Sequence, residues 1–304
     1  PPEIQGGYEI LCAQVVGWLR ARNHEVVVLT SAGGSESAEE MRKLQLSSPF
    51  PAPARRGRAH QVRLQRFNRK ATAQAIAQVR PELIFMWSQL RLGSGPARAA
   101  EASGIPVVYT WNDDHILGLA PVQWGLTPRR LVGALSDRSW AREATWRGLK
   151  FRRAITISHK LREILQRGGY PGQLQVVYQG IRLEDFACKK DPGSIGTPGR
   201  LLYVGQLHHY KGVHTLLEAL PHCPDWTLTI VGAGNPDYVQ KLKESAKSLG
   251  ERVSFLGRLP HAQLAQVYQE HDAFVFPSIW DEPYGLTHLE AMASGLPLLA
   301  TLHG

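Results

Sequence analysis

Cysteine is scarce in this chain, which has three cysteines among its 304 residues. Cys12, Cys188 and Cys223 lie far apart and show no paired spacing. The sequence therefore predicts neither a disulfide framework nor a zinc site built from cysteine pairs. Such cysteine usage is typical of proteins in a reducing compartment.

Long apolar runs, internal repeats of fixed short period and low-complexity tracts are also missing. No hydrophobic segment is long enough to span a bilayer, and the first residues do not have the pattern of a secretory signal. We therefore expect a cytoplasmic protein. This expectation leaves room for peripheral contact with the inner face of a membrane.

The chain is long enough for two domains that each bury a core. Its hydrophobic content of 43% is ordinary for a globular protein. Apolar strands alternate with amphipathic helices, beginning with a predicted helix over Tyr8–Arg20 and a continuous apolar strand over Val26–Thr30. This alternation predicts an α/β fold of doubly wound parallel sheets.

A linker separates the two predicted domains. Residues 189–200 are rich in proline and glycine and have no hydrophobic period, so they favour an irregular connection. We expect an N-terminal domain over residues 1–188 and a C-terminal domain over residues 201–304. No strand precedes the first helix, and no further unit follows the strand predicted over Leu296–Leu302, so the chain is expected to be truncated at both ends.

Charge is unevenly distributed along the chain. Residues 1–180 hold 25 Lys and Arg against 13 Asp and Glu, a balance of +12, whereas residues 181–304 hold 10 against 13, a balance of −3. The first basic cluster comprises Arg55, Arg56, Arg58, Arg63, Arg66, Arg69 and Lys70. The second basic cluster comprises Arg129, Arg130, Arg138, Arg142, Arg147, Lys150, Arg152 and Arg153, interleaved with Trp124, Trp140, Trp146 and Phe151.

A basic segment with interleaved aromatics is typical of an interfacial helix. Its charge would attract acidic lipid, an anionic acceptor or nucleic acid. A solvated helix face explains the same clusters without any partner. We do not expect nucleic-acid binding, because the aromatics stand at helical spacing and no recognition motif is present.

Four loops at predicted strand ends carry the candidate site of the second domain. Gly205, Gly232, Gly257 and Glu282 each follow a predicted strand. In open parallel sheets, ligands bind beyond the carboxyl ends of the strands. These loops are therefore expected to converge on one crevice.

The segment Asp281–Gly295 is predicted to supply two carboxylates to this crevice. Glu282 lies in a loop, and Glu290 lies inside a helix predicted over Leu286–Ser294. Free backbone N–H groups and the positive end of the helix dipole would face the space beside Glu282, where an anion can bind. The alternative is a solvated helix that carries two unrelated glutamates.

The segment Gly205–Gly212, together with Glu282 and Glu290, resembles the retaining GT-B glycosyltransferases of family 4, also described as glycosyl transferases group 1. The resemblance covers nearly the whole chain. Its further motifs are Gly6-Gly7, Asn23-His24-Glu25-Val26, Thr110-Trp111-Asn112-Asp113, Ile157-Ser158, Gly180-Ile181, Asp185-Phe186, Val231-Gly232-Ala233-Gly234, Phe255-Leu256-Gly257 and Pro277-Ser278. The resemblance implies two Rossmann-like domains facing across a cleft, with a nucleotide sugar bound mainly by the second domain.

The roles of the family's residues carry over to the matching positions. Glu290 would hold the ribose hydroxyls and Glu282 a hydroxyl of the transferred sugar, since carboxylates accept hydrogen bonds from hydroxyls. Lys211 would stabilise charge on the leaving diphosphate, so that neither a metal nor another cofactor is needed. The implied catalytic residues are Glu282, Lys211 and Asn112. The implied donor-binding residues are Gly6, Gly7, Gly205, Gln206, Lys211, Gly232, Arg258, Leu259, Glu282, Tyr284, Gly285, Leu286, Thr287 and Glu290.

Two positions depart from the family's pattern. Gln206 stands where the family usually has arginine, and its amide carries no charge. Asn112 stands before Asp113 where the family usually has histidine, so the expected histidine contact to the donor sugar is lost or altered. The nearby histidines, which are candidate substitutes or ordinary loop residues, are His115, His208 and His209.

The resemblance implies transfer of a hexosyl group from a UDP- or GDP-type donor to a hydroxyl of a glycan or lipid-linked acceptor, with retention at the anomeric centre. Synthesis of a cell-envelope glycolipid or polysaccharide, such as lipopolysaccharide, is the implied setting. Two alternatives stay open. One is a GT-B relative with synthase or epimerase chemistry, and the other is a non-catalytic partner subunit that binds a nucleotide sugar.

Overall fold

The structure, a computed structural model, describes residues 7–33, 37–46, 58–87, 91–119, 146, 148–189, 191 and 195–303. Its contacts divide the chain into two units, Pro1–Tyr178 and Gln179–Gly304. The following predicted features lie outside the described residues: Gly6, Arg55, Arg56, Trp124, Arg129, Arg130, Arg138, Trp140, Arg142 and Arg147. Within the described ranges, no helix combines the length and the apolar character that crossing a membrane requires.

The first unit alternates helices with parallel strands. Its described helices are α1 (Gly7–Arg20), α2 (Arg58–Val79), α3 (Ser94–Ala102), α4 (His115–Leu119) and α5 (His159–Arg167). Its described strands are β1 (Val28–Ser31), β2 (Glu40–Leu44), β3 (Ile84–Trp87), β4 (Val107–Trp111), β5 (Arg153–Thr156) and β6 (Gln173–Val176). Strands β1 and β2 form a parallel pair, and the other four form a parallel sheet in the order β3-β4-β5-β6.

The hydrophobic pattern predicts a helix only over Ala71–Gln78, but helix α2 begins at Arg58, inside the first basic cluster. The face opposite its arginines is held partly by polar contacts. The fully buried Asn68 donates from its amide to the carbonyl oxygens of Gln45 at 2.8 Å and Leu92 at 3.0 Å. Hydrophobic periodicity therefore detects only the last part of this helix.

The second basic cluster is predicted to carry interfacial aromatics, and for Trp146 and Phe151 this prediction is wrong. These side chains are 6% and 3% exposed and pack against each other, and the Phe151 ring also packs against the rings of Tyr109 and Trp111. The Glu101 carboxylate accepts a hydrogen bond from the backbone N–H of Phe151 at 2.9 Å and fixes the turn in place. Both rings stabilise the core of the first unit because they bury large apolar surfaces there.

In the second unit, the described strands form one parallel sheet. Its strands are β7 (Gly199–Val204), β8 (Trp226–Val231), β9 (Val253–Gly257), β10 (Ala273–Phe276) and β11 (Leu298–Ala300). Its helices are α6 (Val213–Ala219), α7 (Pro236–Ala246), α8 (His261–Gln269) and α9 (Leu286–Ala293). The strand order is β11-β10-β7-β8-β9.

Helices cover both faces of this sheet. Leu202 on one face shares a core with Tyr268 of α8 and with α9, whereas Tyr203 on the other face shares a core with Leu217 of α6 and with α7. Successive strand residues point to opposite faces, so one apolar strand fills both layers. Each large apolar side chain buried in this way stabilises the fold by about 2 kcal/mol. The α/β class and the doubly wound arrangement of this sheet are confirmed.

The second unit begins at Gln179, before the predicted linker at residues 189–200. Phe186 is 5% exposed within the core of this unit. The ammonium group of Lys189 donates to the carbonyl oxygen of His271 at 2.6 Å. The start of this unit is held by the Phe186 ring and by polar contacts, so its sequence shows no hydrophobic period. The predicted boundary at residue 188 therefore does not coincide with the division of contacts after Tyr178.

Two short elements, β2 and α4, were not predicted. Strand β2 has the sequence Glu-Met-Arg-Lys-Leu, in which charged residues mask the buried Met41 and Leu44. The strand predicted over Leu296–Leu302 is shorter in the structure, since β11 covers three residues and Leu302 is fully exposed. The other predicted helices and strands occur close to their expected bounds.

Candidate functional site

The strand order of the second sheet reverses at β7. The chain passes from β7 to β8 and β9 on one side, and it then adds β10 and β11 on the other side. In open α/β sheets, ligands bind beyond the carboxyl ends of the strands at such a reversal. The loops that follow β7 and β10 flank this position, and they carry Lys211 and Glu282.

Glycines let the loops at these strand ends pack backbone against backbone. Gly232 has a φ of 145°, and a Cβ there would lie 1.8 Å from the carbonyl oxygen of Gly205. The Gly232 N–H donates to the carbonyl oxygen of Gly257 at 2.8 Å. On the other side, a Cβ at Gly212 would lie 1.9 Å from the carbonyl oxygen of Pro277. The structure thus brings the four predicted loops together.

The Lys211 ammonium and the Glu282 carboxylate form an ion pair, with 2.5 Å between Nζ and Oε1. The two side chains are 16% and 10% exposed. Glu282 Oε2 accepts hydrogen bonds from the Trp280 indole at 2.7 Å and the Ser278 hydroxyl at 3.1 Å. We call Glu282, Lys211, Ser278 and Trp280 the Glu282 cluster. Three donors fix its carboxylate in one orientation.

Aromatic rings lie beside this ion pair. Tyr210 and Trp280 pack edge to face with their centroids 5.1 Å apart. Lys211 Nζ lies 5.6 Å from the Tyr210 centroid and 5.9 Å from the Trp280 centroid, and His208 stacks on Tyr210 at 5.4 Å. Cation–π attraction at these distances adds to the electrostatic hold on the ammonium group.

Glu290 lies inside α9 and is 5% exposed. Its Oε2 accepts a hydrogen bond from the Tyr268 hydroxyl at 2.8 Å, and its Oε1 lies 3.4 Å from Nε2 of His261. We call Glu290, Tyr268 and His261 the Glu290 cluster. Burial and the adjacent carboxylate raise the pKa of Tyr268 far above its ordinary value. The hydrogen bond to Glu290 raises the pKa of His261, although burial opposes this shift.

The start of α9 faces the loop that contains Glu282. Gly285 precedes the helix with a φ of 114°, and a Cβ there would lie 2.9 Å from the ring of Phe276. The helix begins at Leu286, so the backbone N–H groups of its first turn, including that of Thr287, have no partner within the helix. These N–H groups and the helix dipole favour a negative charge at this end.

The remaining predicted residues of the second unit lie on or next to the same loops. Gln206 is exposed in the loop after β7. The Tyr284 hydroxyl donates to the carbonyl oxygen of Gln179 at 2.8 Å. Arg258 is exposed directly after β9, and Leu259 packs against the core. Contact of these residues with a ligand stays a prediction.

The predicted residues of the first unit lie at the end of β4 and the start of α1. Asn112 is buried, with 9% exposure. Asp113 contacts the imidazole of His115, and burial lowers the pKa of His115 to about 4. Gly7 is the first residue of α1, whereas Gly6 lies outside the described residues.

Four members of the two clusters had no role assigned from the sequence: Ser278, Trp280, Tyr268 and His261. The first two stand four and two residues before Glu282, so proximity in sequence could have indicated them. The other two lie on α8, and only the tertiary fold brings that helix to α9. Among the described residues, no group of three or more His, Cys, Asp or Glu side chains could hold a metal ion.

Two family models match the chain. The model described as Glycosyltransferase Family 4 matches residues 5–185. The model described as Glycosyl transferases group 1 matches residues 186–304. Together the two matches cover nearly the whole chain.

Curated relatives include sugar-transferring proteins. The chain is 34% identical to the glycogen synthase of Mycobacterium tuberculosis over 178 residues, which cover 56% of this chain and 42% of that protein. It is 36% identical to the lipopolysaccharide core biosynthesis mannosyltransferase LpsB of Rhizobium meliloti over 106 residues, covering 32% of this chain and 29% of that protein. The chain therefore spans less than half the length of these relatives.

The fold is similar to that of solved structures. HepE of Anabaena, solved in complex with UDP and glucose, superposes with a TM-score of 0.66 at 21% identity. The match covers 100% of this chain and 79% of HepE. This likeness confirms the GT-B fold with its two Rossmann-like domains.

Proposed function

This chain belongs to glycosyltransferase family 4, and on that premise we propose that it transfers a hexosyl group from a nucleotide-diphosphate sugar to an acceptor hydroxyl with retention of anomeric configuration. The observation that carries the proposal is the Glu282 cluster, which lies where the strand order of the second sheet reverses. The complex of HepE with UDP and glucose supports a UDP-type donor. A GDP-type donor suits the same groups.

The two carboxylates suit the two ends of such a donor. Glu290 already accepts one hydrogen bond on Oε2 and lies beside one imidazole at Oε1, which leaves acceptor positions for two ribose hydroxyls. Lys211, Ser278 and Trp280 fill three of the roughly four acceptor positions of Glu282, and the remaining position, on Oε1, is offered to a hydroxyl of the transferred sugar. Lys211 and the N–H groups near Thr287 supply positive charge to the diphosphate between them, where charge develops during transfer.

Glu282 acts as a positioning group in this proposal and forms no covalent bond to the sugar. Lys211, Ser278 and Trp280 all donate hydrogen bonds to its carboxylate. These bonds fix its orientation and engage the lone pairs that a nucleophile would need. The acceptor hydroxyl would attack from the face that the diphosphate leaves, and a phosphate oxygen would take the proton. The oxygen–sugar bond to the diphosphate breaks as the bond to the acceptor forms.

The test is Glu282→Gln in the full chain. We expect transfer to fall by about 100-fold, because a misplaced sugar loses its alignment for attack, while the melting temperature still rises with donor. Glu244→Gln, on the exposed surface of α7, is the matched control and should keep full activity. A sugar covalently bound to the wild type in intact mass spectrometry would contradict the mechanism.

We also propose that donor binding and transfer need no metal, because Lys211 and the start of α9 provide the charge. Treatment of the protein with a chelator should leave the affinity for UDP-glucose and GDP-mannose unchanged. Loss of binding on chelation, with recovery on adding Mg²⁺ or Mn²⁺, would contradict this part of the proposal.

The proposed acceptor is a glycan or a lipid-linked sugar of the cell envelope, reached at the cytoplasmic face of the membrane. The similarity to LpsB supports this class. So do Arg63, Arg66, Arg69 and Lys70, which lie exposed on α2. The protein should co-sediment with vesicles that contain anionic lipid at low salt and stay in the supernatant at high salt. Equal sedimentation with neutral vesicles would contradict a role for charge.

The second candidate is a non-catalytic subunit that binds a nucleotide sugar, and the uncharged Gln206 favours it. Binding without release of free nucleotide in the presence of acceptor extracts would support this candidate. An epimerised nucleotide sugar, or a synthase product, would instead indicate other chemistry on the same fold. Failure of the folded chain to bind UDP- or GDP-sugars would overturn all of these functions.

A further inference from the structure

Two donors of unequal chemistry hold the Glu290 carboxylate. Tyr268 donates to Oε2 at 2.8 Å from a fully buried position. Its hydroxyl also lies 3.3 Å from the carbonyl oxygen of Thr287, so it links the carboxylate to the first turn of α9. His261 approaches Oε1 at 3.4 Å from the first residue of α8, and its side chain is 32% exposed.

The number of acceptor positions makes these contacts relevant to ligand binding. An ionised carboxylate has about four lone-pair positions, and the two protein donors occupy about half of them. The free positions suit two neighbouring hydroxyls only if the carboxylate cannot rotate. Its orientation therefore depends on both Tyr268 and His261.

We propose that His261 and Tyr268 are positioning residues that orient Glu290 toward the ribose hydroxyls of the donor, and that His261 makes donor affinity depend on pH. This inference rests on the proposed function, since it takes Glu290 as the acceptor for the ribose. A protonated imidazole donates a charge-assisted hydrogen bond, which is stronger than the bond from a neutral ring. The hydrogen bond from Tyr268 makes a contribution to donor affinity that does not change with pH, because its phenol stays protonated in the physiological range.

The groups around His261 determine the direction of the pH effect. Glu290 faces it from α9, and Asp185 lies on a short 3-10 helix over Leu183–Asp185. The ring of Phe186 packs against His261 edge to face at 5.5 Å. Arg182 lies 3.8 Å from Asp185 and weakens that carboxylate's attraction. The hydrogen bond to Glu290 raises the pKa of His261 above its ordinary 6.5. As pH rises through this raised value, the charge-assisted bond is lost and donor affinity falls.

The experiment compares His261→Gln with His222→Gln in the full chain. Glutamine keeps an uncharged donor at position 261, and His222 is exposed elsewhere in the same unit. Calorimetric titrations with UDP-glucose and with GDP-mannose would run from about pH 5.5 to about pH 8.5, where histidine titrates. Both probes carry a diesterified diphosphate that does not titrate in this range, so a pH effect comes from the protein.

We expect wild-type affinity for the donor that binds to fall about fivefold across this range, as a charge-assisted bond becomes a neutral one. His261→Gln should bind about fivefold more weakly at low pH and show no slope. His222→Gln should behave as the wild type. Tyr268→Phe should weaken binding at every pH and keep the slope. A donor analogue with 2′,3′-dideoxyribose should show no slope with any variant.

The possible failures are distinguishable. A wild-type affinity that does not vary with pH, or a slope that persists in His261→Gln, overturns the inference and leaves the proposed function intact. Failure of the folded wild type to bind either donor overturns the proposed function and this inference with it. If His261→Gln does not fold, the wild type with the ribose and dideoxyribose donors still decides the matter. An equal slope with the ribose donor and with its 2′,3′-dideoxyribose analogue overturns the inference.

Discussion

The loop that carries Glu282 and the helix that carries Glu290 hold their carboxylates with different kinds of donor. In the Glu282 cluster a lysine supplies the charge, and neutral hydroxyl and indole groups complete the set. In the Glu290 cluster a buried phenol supplies one bond, and a histidine that can titrate lies at the other oxygen. The first cluster is built mostly within one loop, whereas the second joins two helices.

This difference predicts two kinds of destabilisation, one from a loss of charge balance and the other from a loss of core packing. Removing Lys211 from the Glu282 cluster leaves a largely buried carboxylate without its cation, so the penalty is electrostatic. Removing a donor from the Glu290 cluster leaves a hole or an unsatisfied oxygen between α8 and α9, so the penalty falls on the core. Substitutions in the two clusters should therefore differ in size, in their rescue and in their pH dependence.

The largest effect is expected from Lys211→Ala. Both side chains of the pair are less than one fifth exposed, so the substitution should lower the free energy of unfolding of the second unit by about 3 kcal/mol. Urea denaturation followed by tryptophan fluorescence measures this loss. Combining it with Glu282→Gln should recover part of the stability, because the double variant no longer buries an unpaired charge.

The matched control for that prediction is an exposed pair in the same unit. Arg182 lies 3.0 Å from Glu184, and both side chains are more than half exposed. Arg182→Ala should leave the urea midpoint unchanged within error, because solvent screens such pairs. Equal losses for the two substitutions would show that the Glu282 cluster is no different from a surface ion pair.

An intermediate effect is expected from Tyr268→Phe, which keeps the ring and removes the hydroxyl. One oxygen of the buried Glu290 then loses its donor, so the free energy of unfolding should fall by about 2 kcal/mol. Tyr203→Phe is the matched control, because Tyr203 is similarly buried and its hydroxyl donates at 2.8 Å to the carbonyl oxygen of the exposed Gln206. Water can replace the bond that Tyr203→Phe removes, so its loss in free energy of unfolding should be smaller than that of Tyr268→Phe. A larger loss for Tyr203→Phe would contradict this prediction.

Ser278→Ala should have a smaller effect, because Glu282 retains two of its three donors. A loss of about 1 kcal/mol is expected for one hydrogen bond from a neutral hydroxyl. Transfer should fall less than in Glu282→Gln. If Ser278→Ala abolished transfer while stability stayed intact, the hydroxyl itself would have to contact the reacting groups.

The smallest effect is the dependence of thermal stability on pH. The pKa of His261 is raised in the folded state by Glu290, so its stabilising contribution is present below the unfolded pKa of 6.5 and is lost as pH rises through the folded value. The difference in melting temperature between wild type and His261→Gln should be about 1 to 2 °C at low pH and vanish at high pH. A difference that grew with pH would contradict this sign.

Most of the fold could be predicted from the alternation of apolar strands and helices. The segments that were not predicted are those in which buried residues stand among charged ones, so that the hydrophobic pattern is weak. Met41 and Leu44 are the buried residues of a strand that otherwise reads as polar. Helix α2 begins among arginines, and its buried face contains an asparagine that binds backbone groups. Trp146 and Phe151 stand among basic residues, so composition alone suggests an interface where the fold uses them as core.

The candidate site could be predicted as a set of loops but not as a set of contacts. Glu282 and Lys211 are 71 residues apart, and no spacing rule indicates that their side chains meet. Sequence position likewise gives no sign that α8 delivers Tyr268 and His261 to Glu290, because helix packing across a sheet decides that. The family resemblance identified the charged residues, whereas the neutral donors that orient them emerge only from the three-dimensional arrangement.

The bond between Tyr284 and Gln179 has a consequence for the connection between the two units. The N–H of Val177 donates to the carbonyl oxygen of Thr156 in the first unit, and the carbonyl of Gln179 is bound in the second. Tyr178 alone lies between these anchor points. Residues inserted at this point would lengthen the chain between these two hydrogen bonds, so we expect insertions here to loosen the covalent connection.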